Sequence, residues 1–284
     1  MSDLTRKTAF ITGGASGIGR SIAKLVVERG GVAIIADVNE GAVSAAGAEL
    51  GAEAHALDVA DIAATEALAE QVWSAHGGID LVFANAGVSA GGGSLLKATE
   101  QQFDHLYGVN VKGAWATSAA FARKMVAEDR TGHICITGSE NSLGFLFPGN
   151  GLYNGSKHAI LGIADVLRHE LPDTISVSLL CPGLTATGLS GPTKQSGLPQ
   201  PPEPAREFTK QVMAKGQHPD EVAEKALSGT LDGDFIIPAL SIIRDCAEQR
   251  WQDIEAGFAK HAPPNSNEYK YLVTNVVKEL KEKA

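Results

Sequence analysis

Tyr153 and Lys157 stand four residues apart in the stretch GNGLYNGSKHAILGIADVLRHEL. The residues that follow, Ile160, Leu161, Ala164, Leu167 and Leu171, recur at three- and four-residue steps, the period of a helix with one apolar face. Positions i and i+4 share a face of a helix, so the phenol and the ammonium can act on one point in space. Proton exchange with an alcohol is the chemistry such a pair could do. A free phenol has a pKa of about 10, too high for a base at neutral pH. An ammonium about 4 Å away stabilises the phenolate by roughly 4 kcal/mol at an effective dielectric of about 20, or about three pKa units, and burial opposes part of this. Tyr153 beside Lys157 is therefore expected to approach the range of a general base or acid.

Positioning such a pair needs a scaffold. From Lys7 to Ile237 short apolar runs (KTAFIT, VAIIAD, AEAHALD, IDLVFANAG, GHICITGS, ISVSLLCPG and DFIIP) alternate with amphipathic segments such as GIGRSIAKLVVERG and DIAATEALAEQVWSAHG. This order predicts an α/β fold: a single-domain, doubly wound parallel sheet of the Rossmann type, of about seven strands with helices on both faces. Residues 1–240 form that domain, and the charged segment 241–284 reads as a helical extension. Residues 188–206 are rich in Gly and Pro, and 188–215 is expected to be a mobile lid. Ligands of open sheets sit outside the carboxyl ends of the strands, so chemistry is sought there.

The first strand runs into ITGGASGIGRSIAKL, where Gly13, Gly17 and Gly19 make a turn that lets a pyrophosphate approach a helix N-terminus. The same residues come close to a phosphate-loop NTPase motif, but Arg20 stands where the phosphate-binding lysine is required. Asp37 discriminates better. It ends the second strand about 20 residues after the glycines, where a carboxylate binds a ribose 2′-hydroxyl and repels a 2′-phosphate, so NAD is expected rather than NADP.

TGGASGIG, LDV (57–59), NAG (85–87), VNVKG (109–113), ITGS (136–139), YNGSK (153–157) and PGLTAT (182–187) occur in order, each at a strand end or helix start. Over about residues 5–238 the chain resembles the short-chain dehydrogenase/reductase family. The resemblance implies an NAD-dependent oxidoreductase interconverting a secondary alcohol and a ketone, with Asn110, Ser139, Tyr153 and Lys157 as catalytic residues. It places Gly13, Ser16, Gly17, Ile18, Gly19, Asp37, Asp58, Val59, Asn85, Ala86, Gly87, Pro182, Gly183, Thr185 and Thr187 at the cofactor, with Tyr153 and Lys157 shared. Asp58 would face the adenine, Thr185 and Thr187 the carboxamide, and Asn110 would kink its helix and hold a water leading to Lys157. A homodimer or homotetramer is implied too. The segment from Ser139 to Tyr153 is one residue longer than the family spacing, which leaves Ser142 as a second candidate for the serine role. A family member that binds NAD without turnover is the alternative reading.

Substrate contacts are expected from Ser139, Leu143, Phe145 and Leu189, with Leu146 and Phe147 nearby, which suggests a bulky aromatic or alicyclic alcohol. Without G-x-S-x-G the chain lacks the nucleophile elbow of a serine hydrolase. His158 points about 100° away from Lys157 round the helix. A net charge of −9 with scattered basic residues argues against nucleic acid or an anionic membrane as partner. Three widely spaced cysteines fit a reduced protein without a metal site, and no apolar run reaches membrane-spanning length, so a cytoplasmic protein is expected.

Overall fold

The computed structural model describes residues 4–89, 93–189, 196–264 and 266–283. Seven strands form one parallel sheet: β1 Thr8–Thr12, β2 Val32–Asp37, β3 Glu53–Ala56, β4 Leu81–Ala84, β5 Gly132–Thr137, β6 Ile175–Cys181 and β7 Ile236–Pro238. Their order, β3-β2-β1-β4-β5-β6-β7, reverses direction between β1 and β4, which opens a crevice above their carboxyl ends. This is the doubly wound sheet the alternating pattern predicts.

The reason lies in the pleat. Successive strand residues point to opposite faces, so Phe10, Ile34, Val82, Ile134 and Val177 enter one core while Ile11, Ile35, Phe83, Cys135 and Leu180 enter the other. Helices α3 Ile62–His76, α5 Ala114–Ala127 and α7 Gly151–Glu170 cover the first face. Helices α1 Gly17–Glu28, α2 Glu40–Leu50 and α9 Pro219–Asp232 cover the second. With both faces buried, the central strands are apolar almost throughout.

Three shorter elements shape the crevice. Helix α4 Glu100–Tyr107 passes into a π-helical turn at Gly108–Gly113 before α5 begins. Helix α6 Glu140–Leu143 is a single turn capped by Ser139. Helix α8 Glu203–Met213 corrects the expectation that 188–206 lacks regular structure, because Pro204 falls in the first turn, where a missing N–H costs nothing. Residues 190–195 of the expected lid lie outside the described residues.

Two compact units divide the chain, Met1–Ile243 and Arg244–Ala284. The second contains most of α10 Ile243–His261 and all of α11 Val273–Lys283. Among the described residues no helix is long and apolar enough to cross a membrane, and no cluster of three His, Cys, Asp or Glu could hold a metal ion.

Candidate active site

The strand ends converge through a small set of hydrogen bonds. Thr12, the last residue of β1, accepts at Oγ1 from the backbone amides of Asn85 and Ala86, both at 3.0 Å. Asn85 Nδ2 donates back to Thr12 O (3.0 Å), and its Oδ1 accepts from Thr137 Oγ1 (3.1 Å). One amide thus joins the ends of β1, β4 and β5. Gly19 does not line the crevice; a Cβ there would meet Gly13 O at 2.4 Å, so it lets α1 press against this knot.

Above the knot a cavity of about 490 Å³ is lined by Gly13, Ser16, Gly17, Ile18, Asp37, Asp58, Val59, Asn85, Ala86 and Gly87, together with Ser139, Tyr153, Lys157, Pro182, Gly183, Thr185, Thr187 and Leu189. Gly17 has φ +54° and opens α1, whose first turn contains no acidic residue and whose Ser16 makes no capping bond. The free N–H groups of that turn are an anion site in waiting. Asp37 Oδ2 accepts from Ala15 N (3.3 Å) and Oδ1 from Asn39 N (3.1 Å), which fixes the carboxylate beside the glycine turn. Arg20 pairs with Glu49 at 2.5 Å and is absent from the lining, so nothing replaces the missing lysine of a phosphate-loop site.

Lys157 is 3% exposed; its Nζ donates to Thr137 O (2.9 Å) and sits 5.6 Å from the centroid of the Tyr153 ring. Burial lowers its pKa to about 8. Burial also pushes the Tyr153 phenol up to about 12, against the pull of the Ser139 hydroxyl and with a further push from the Glu140 carboxylate. The expectation that Lys157 draws the phenol toward neutrality is therefore corrected for the resting protein: desolvation penalises both charged forms, and the ammonium is aimed at a carbonyl.

The two candidate serines point in different directions. Ser139 lines the cavity, with Oγ within hydrogen-bonding reach of the Tyr153 phenol and bonded to Asn141 Oδ1 at 2.8 Å. Ser142 is 1% exposed and points into the fold, donating to Lys157 O (2.7 Å) and accepting from Ser139 N (3.2 Å).

Three more of the expected site residues are not in the lining. Asn110 lies behind the cavity wall, not in it; its amide protons go to Val88 O and Ser156 Oγ, and its Oδ1 accepts from Val88 N. It ties the end of β4 to α7, inside the π-helical turn. Leu143 packs on the core under the sheet and does not face the cavity, because the one-turn helix α6 directs it inward. Phe145 is outside the lining as well, its carbonyl bound by Asn141 Nδ2.

Other lining residues carried no signal in the sequence. Met213 arrives from α8, about 60 positions after the tyrosine, and Asp104 and His105 from α4. His105 Nε2 is buried without a partner among the described residues, and its pKa is lowered by burial.

The crevice gathers Ser139, Tyr153 and Lys157 with a glycine turn and an acidic residue, the set expected of a dinucleotide-dependent oxidoreductase. The comparisons agree: the family model for short chain dehydrogenases matches residues 7–196, and the chain belongs to that family. A crystal structure of a short-chain dehydrogenase/reductase from Burkholderia phymatum in complex with NAD superposes with a TM-score of 0.82 at 30% identity, covering 93% of this chain and all of that one. An alcohol dehydrogenase from the archaeon Thermococcus sibiricus, complexed with 5-hydroxy-NADP, has a TM-score of 0.65 at 28% identity, covering 82% of this chain and 95% of that one. The 2,5-dichloro-2,5-cyclohexadiene-1,4-diol dehydrogenase of Sphingobium indicum is 33% identical over 190 residues, 66% of this chain and 76% of that protein. The family binds a nicotinamide cofactor, and the residues present suit one: an uncapped helix start for the pyrophosphate, a fixed carboxylate for a ribose and an orphaned imidazole nitrogen in the same lining.

Proposed function

We propose that the protein is an NAD-dependent dehydrogenase interconverting a secondary alcohol and a ketone. The observation that carries this reading is the meeting of Ser139, Tyr153 and Lys157 in one cavity that Asp37 also lines. When bound, the nicotinamide cofactor supplies the hydride acceptor or donor. Ser16, Gly17 and Ile18 would hold its pyrophosphate, Asp37 a ribose, Asp58 and Val59 the adenine, and Thr185 and Thr187 the carboxamide. With its phenol up to about 12, Tyr153 carries its proton at neutral pH and is ready to deliver it to a ketone oxygen. In the other direction the phenol must first release its own proton to solvent through the open cavity; the phenolate, stabilised by the Lys157 ammonium and the Ser139 hydroxyl, then accepts the alcohol proton at Oη. Asn110 acts at one remove, by holding the strand end and α7 in register.

The apolar lining residues Leu184, Leu189 and Met213 support a bulky substrate body. Free Cys135, Cys181 and Cys246 fit a reduced, cytoplasmic setting. Trp115 and Val126, about half exposed on α5 and three turns apart on one face, support an assembly of two or four copies. A scaffold role without turnover would need the glycine turn and Asp37 but gives no task to Tyr153 and Lys157.

A screen of secondary alcohols and ketones by NADH absorbance tests the activity; no turnover across aromatic and alicyclic members refutes it. Asp37→Ala tests the cofactor: it should weaken NAD and admit NADP, since one carboxylate does both jobs. Equal use of both cofactors by the unmutated protein would refute the preference.

A further inference from the structure

The proposed chemistry uses Ser139, Tyr153 and Lys157 and gives no task to an acid that stands next to the first of them in the chain. Glu140 opens α6 directly after Ser139 and lines the cavity. Its backbone is pinned: the amide donates to Pro182 O (2.8 Å) and the carbonyl accepts from Phe145 N (3.3 Å). The carboxylate lies against the loop that follows β6, with Oε2 only 2.9 Å from where a Cβ on Gly183 would stand. A side chain at 183 would displace it, so the glycine makes room for the acid.

The neighbouring polar groups are all committed elsewhere. Ser139 Oγ and Asn141 Oδ1 bond each other, Asn141 Nδ2 donates to Phe145 O and Asn154 Oδ1, and Lys157 Nζ donates to Thr137 O. No described residue donates to the Glu140 carboxylate or pairs with it; burial alone acts on it, raising its pKa. Glu140 follows directly on Ser139, whose hydroxyl reaches the Tyr153 phenol, and it lines the same cavity, so its charge acts on that phenol. A part-buried carboxylate without a donor costs stability. Around it the cavity offers the apolar side chains Leu184, Leu189 and Met213.

We propose that Glu140 forms a substrate subsite, accepting a hydrogen bond from a second donor, a hydroxyl or an ammonium, that the substrate carries next to its reacting carbinol. The substrate class is then an apolar body with two adjacent polar groups, one at Tyr153 and Ser139 and the other at Glu140. This rests on the alcohol-dehydrogenase reading and narrows it.

The test uses matched trios built on alicyclic, benzylic and open-chain skeletons, each a secondary alcohol with hydrogen, hydroxyl or ammonium on the neighbouring carbon. Turnover is followed by NADH absorbance. Binding is measured by calorimetry on Tyr153→Phe protein saturated with NAD, with and without Glu140→Gln or Glu140→Ala. Donor-bearing members should bind about ten- to a hundredfold tighter than the plain alcohol, the range of one hydrogen bond to a charged group. Glu140→Ala should erase the difference. Glu140→Gln, which keeps the shape and the acceptor but not the charge, should retain part of the hydroxyl preference and lose the ammonium preference. An ammonium bound more tightly than the hydroxyl identifies an amino alcohol; the reverse identifies a diol. Equal binding across the trio, a preference that survives Glu140→Ala, or no binding by any donor-bearing member overturns the subsite. Glu140-dependent binding without NADH formation by the Tyr153-intact protein leaves the subsite standing and refutes the dehydrogenase reading instead.

Discussion

Tyr153 and Ser139 differ from their neighbours in what a single atom does. Replacing Tyr153 by Phe keeps the ring against Lys157 and removes the proton, so turnover should fall by about three orders of magnitude or more while NAD binding persists. Steady-state rates together with a cofactor titration check this; retention of more than about a tenth of the rate would sink the assignment. The two serines should separate by kind of damage. Ser139→Ala removes a hydroxyl that reaches the phenol and should lower kcat, at a cost of about 1 kcal/mol for the lost cap on α6. Ser142→Ala leaves the buried Ser139 N without its partner and should cost about 1–3 kcal/mol of stability. Thermal melts and kcat measured on the same preparations would expose the reverse order.

At the scale of elements, the β5–β6 pair contains a pH-sensitive contact away from the cavity. His133 on β5 meets Ser178 Oγ on β6 at 2.8 Å, and Ser178 itself donates to Asp234 O, so the histidine must be the donor through Nε2–H. Burial lowers its pKa to about 4, from 6.5 when unfolded. A depressed histidine binds its proton more weakly in the fold than in the unfolded chain. Its contribution is therefore complete above about pH 6.5 and is lost progressively as the pH falls toward 4. Between pH 6.5 and 5 the loss should be about 2 kcal/mol in denaturant unfolding. His133→Gln, which can still donate to Ser178, should flatten that slope; an unchanged slope would show that other groups carry it.

For the whole molecule, the division at Ile243 has a consequence for folding. Every residue of the two sheet cores precedes it, and no described residue after it is buried. A chain ending at Ile243 should therefore fold, bind NAD and melt within about 4 °C of the full protein, since a shift of that size corresponds to about 1–2 kcal/mol. Circular dichroism melts with and without NAD would check this. A truncated protein that fails to fold would show that 244–284 completes the body.

The sheet was legible in the sequence because burial of both faces forces apolar strands and regular helices, a pattern local enough to be read without coordinates. Tyr153, Lys157, the glycine turn and Asp37 were legible for a related reason: each stands at a strand end or within one helical turn of its partner. The fold decided what depended on direction or on distant chain segments. Leu143 and Ser142 point inward because α6 is one tight turn, and Met213 and His105 reach the cavity from α8 and α4, helices distant in sequence from the strand ends and from Tyr153. The sign of the Tyr153 shift was also a tertiary matter. Spacing puts a cation on the same helical face, but burial of both groups, and the aim of the ammonium at Thr137 O, determine which charge state the protein favours.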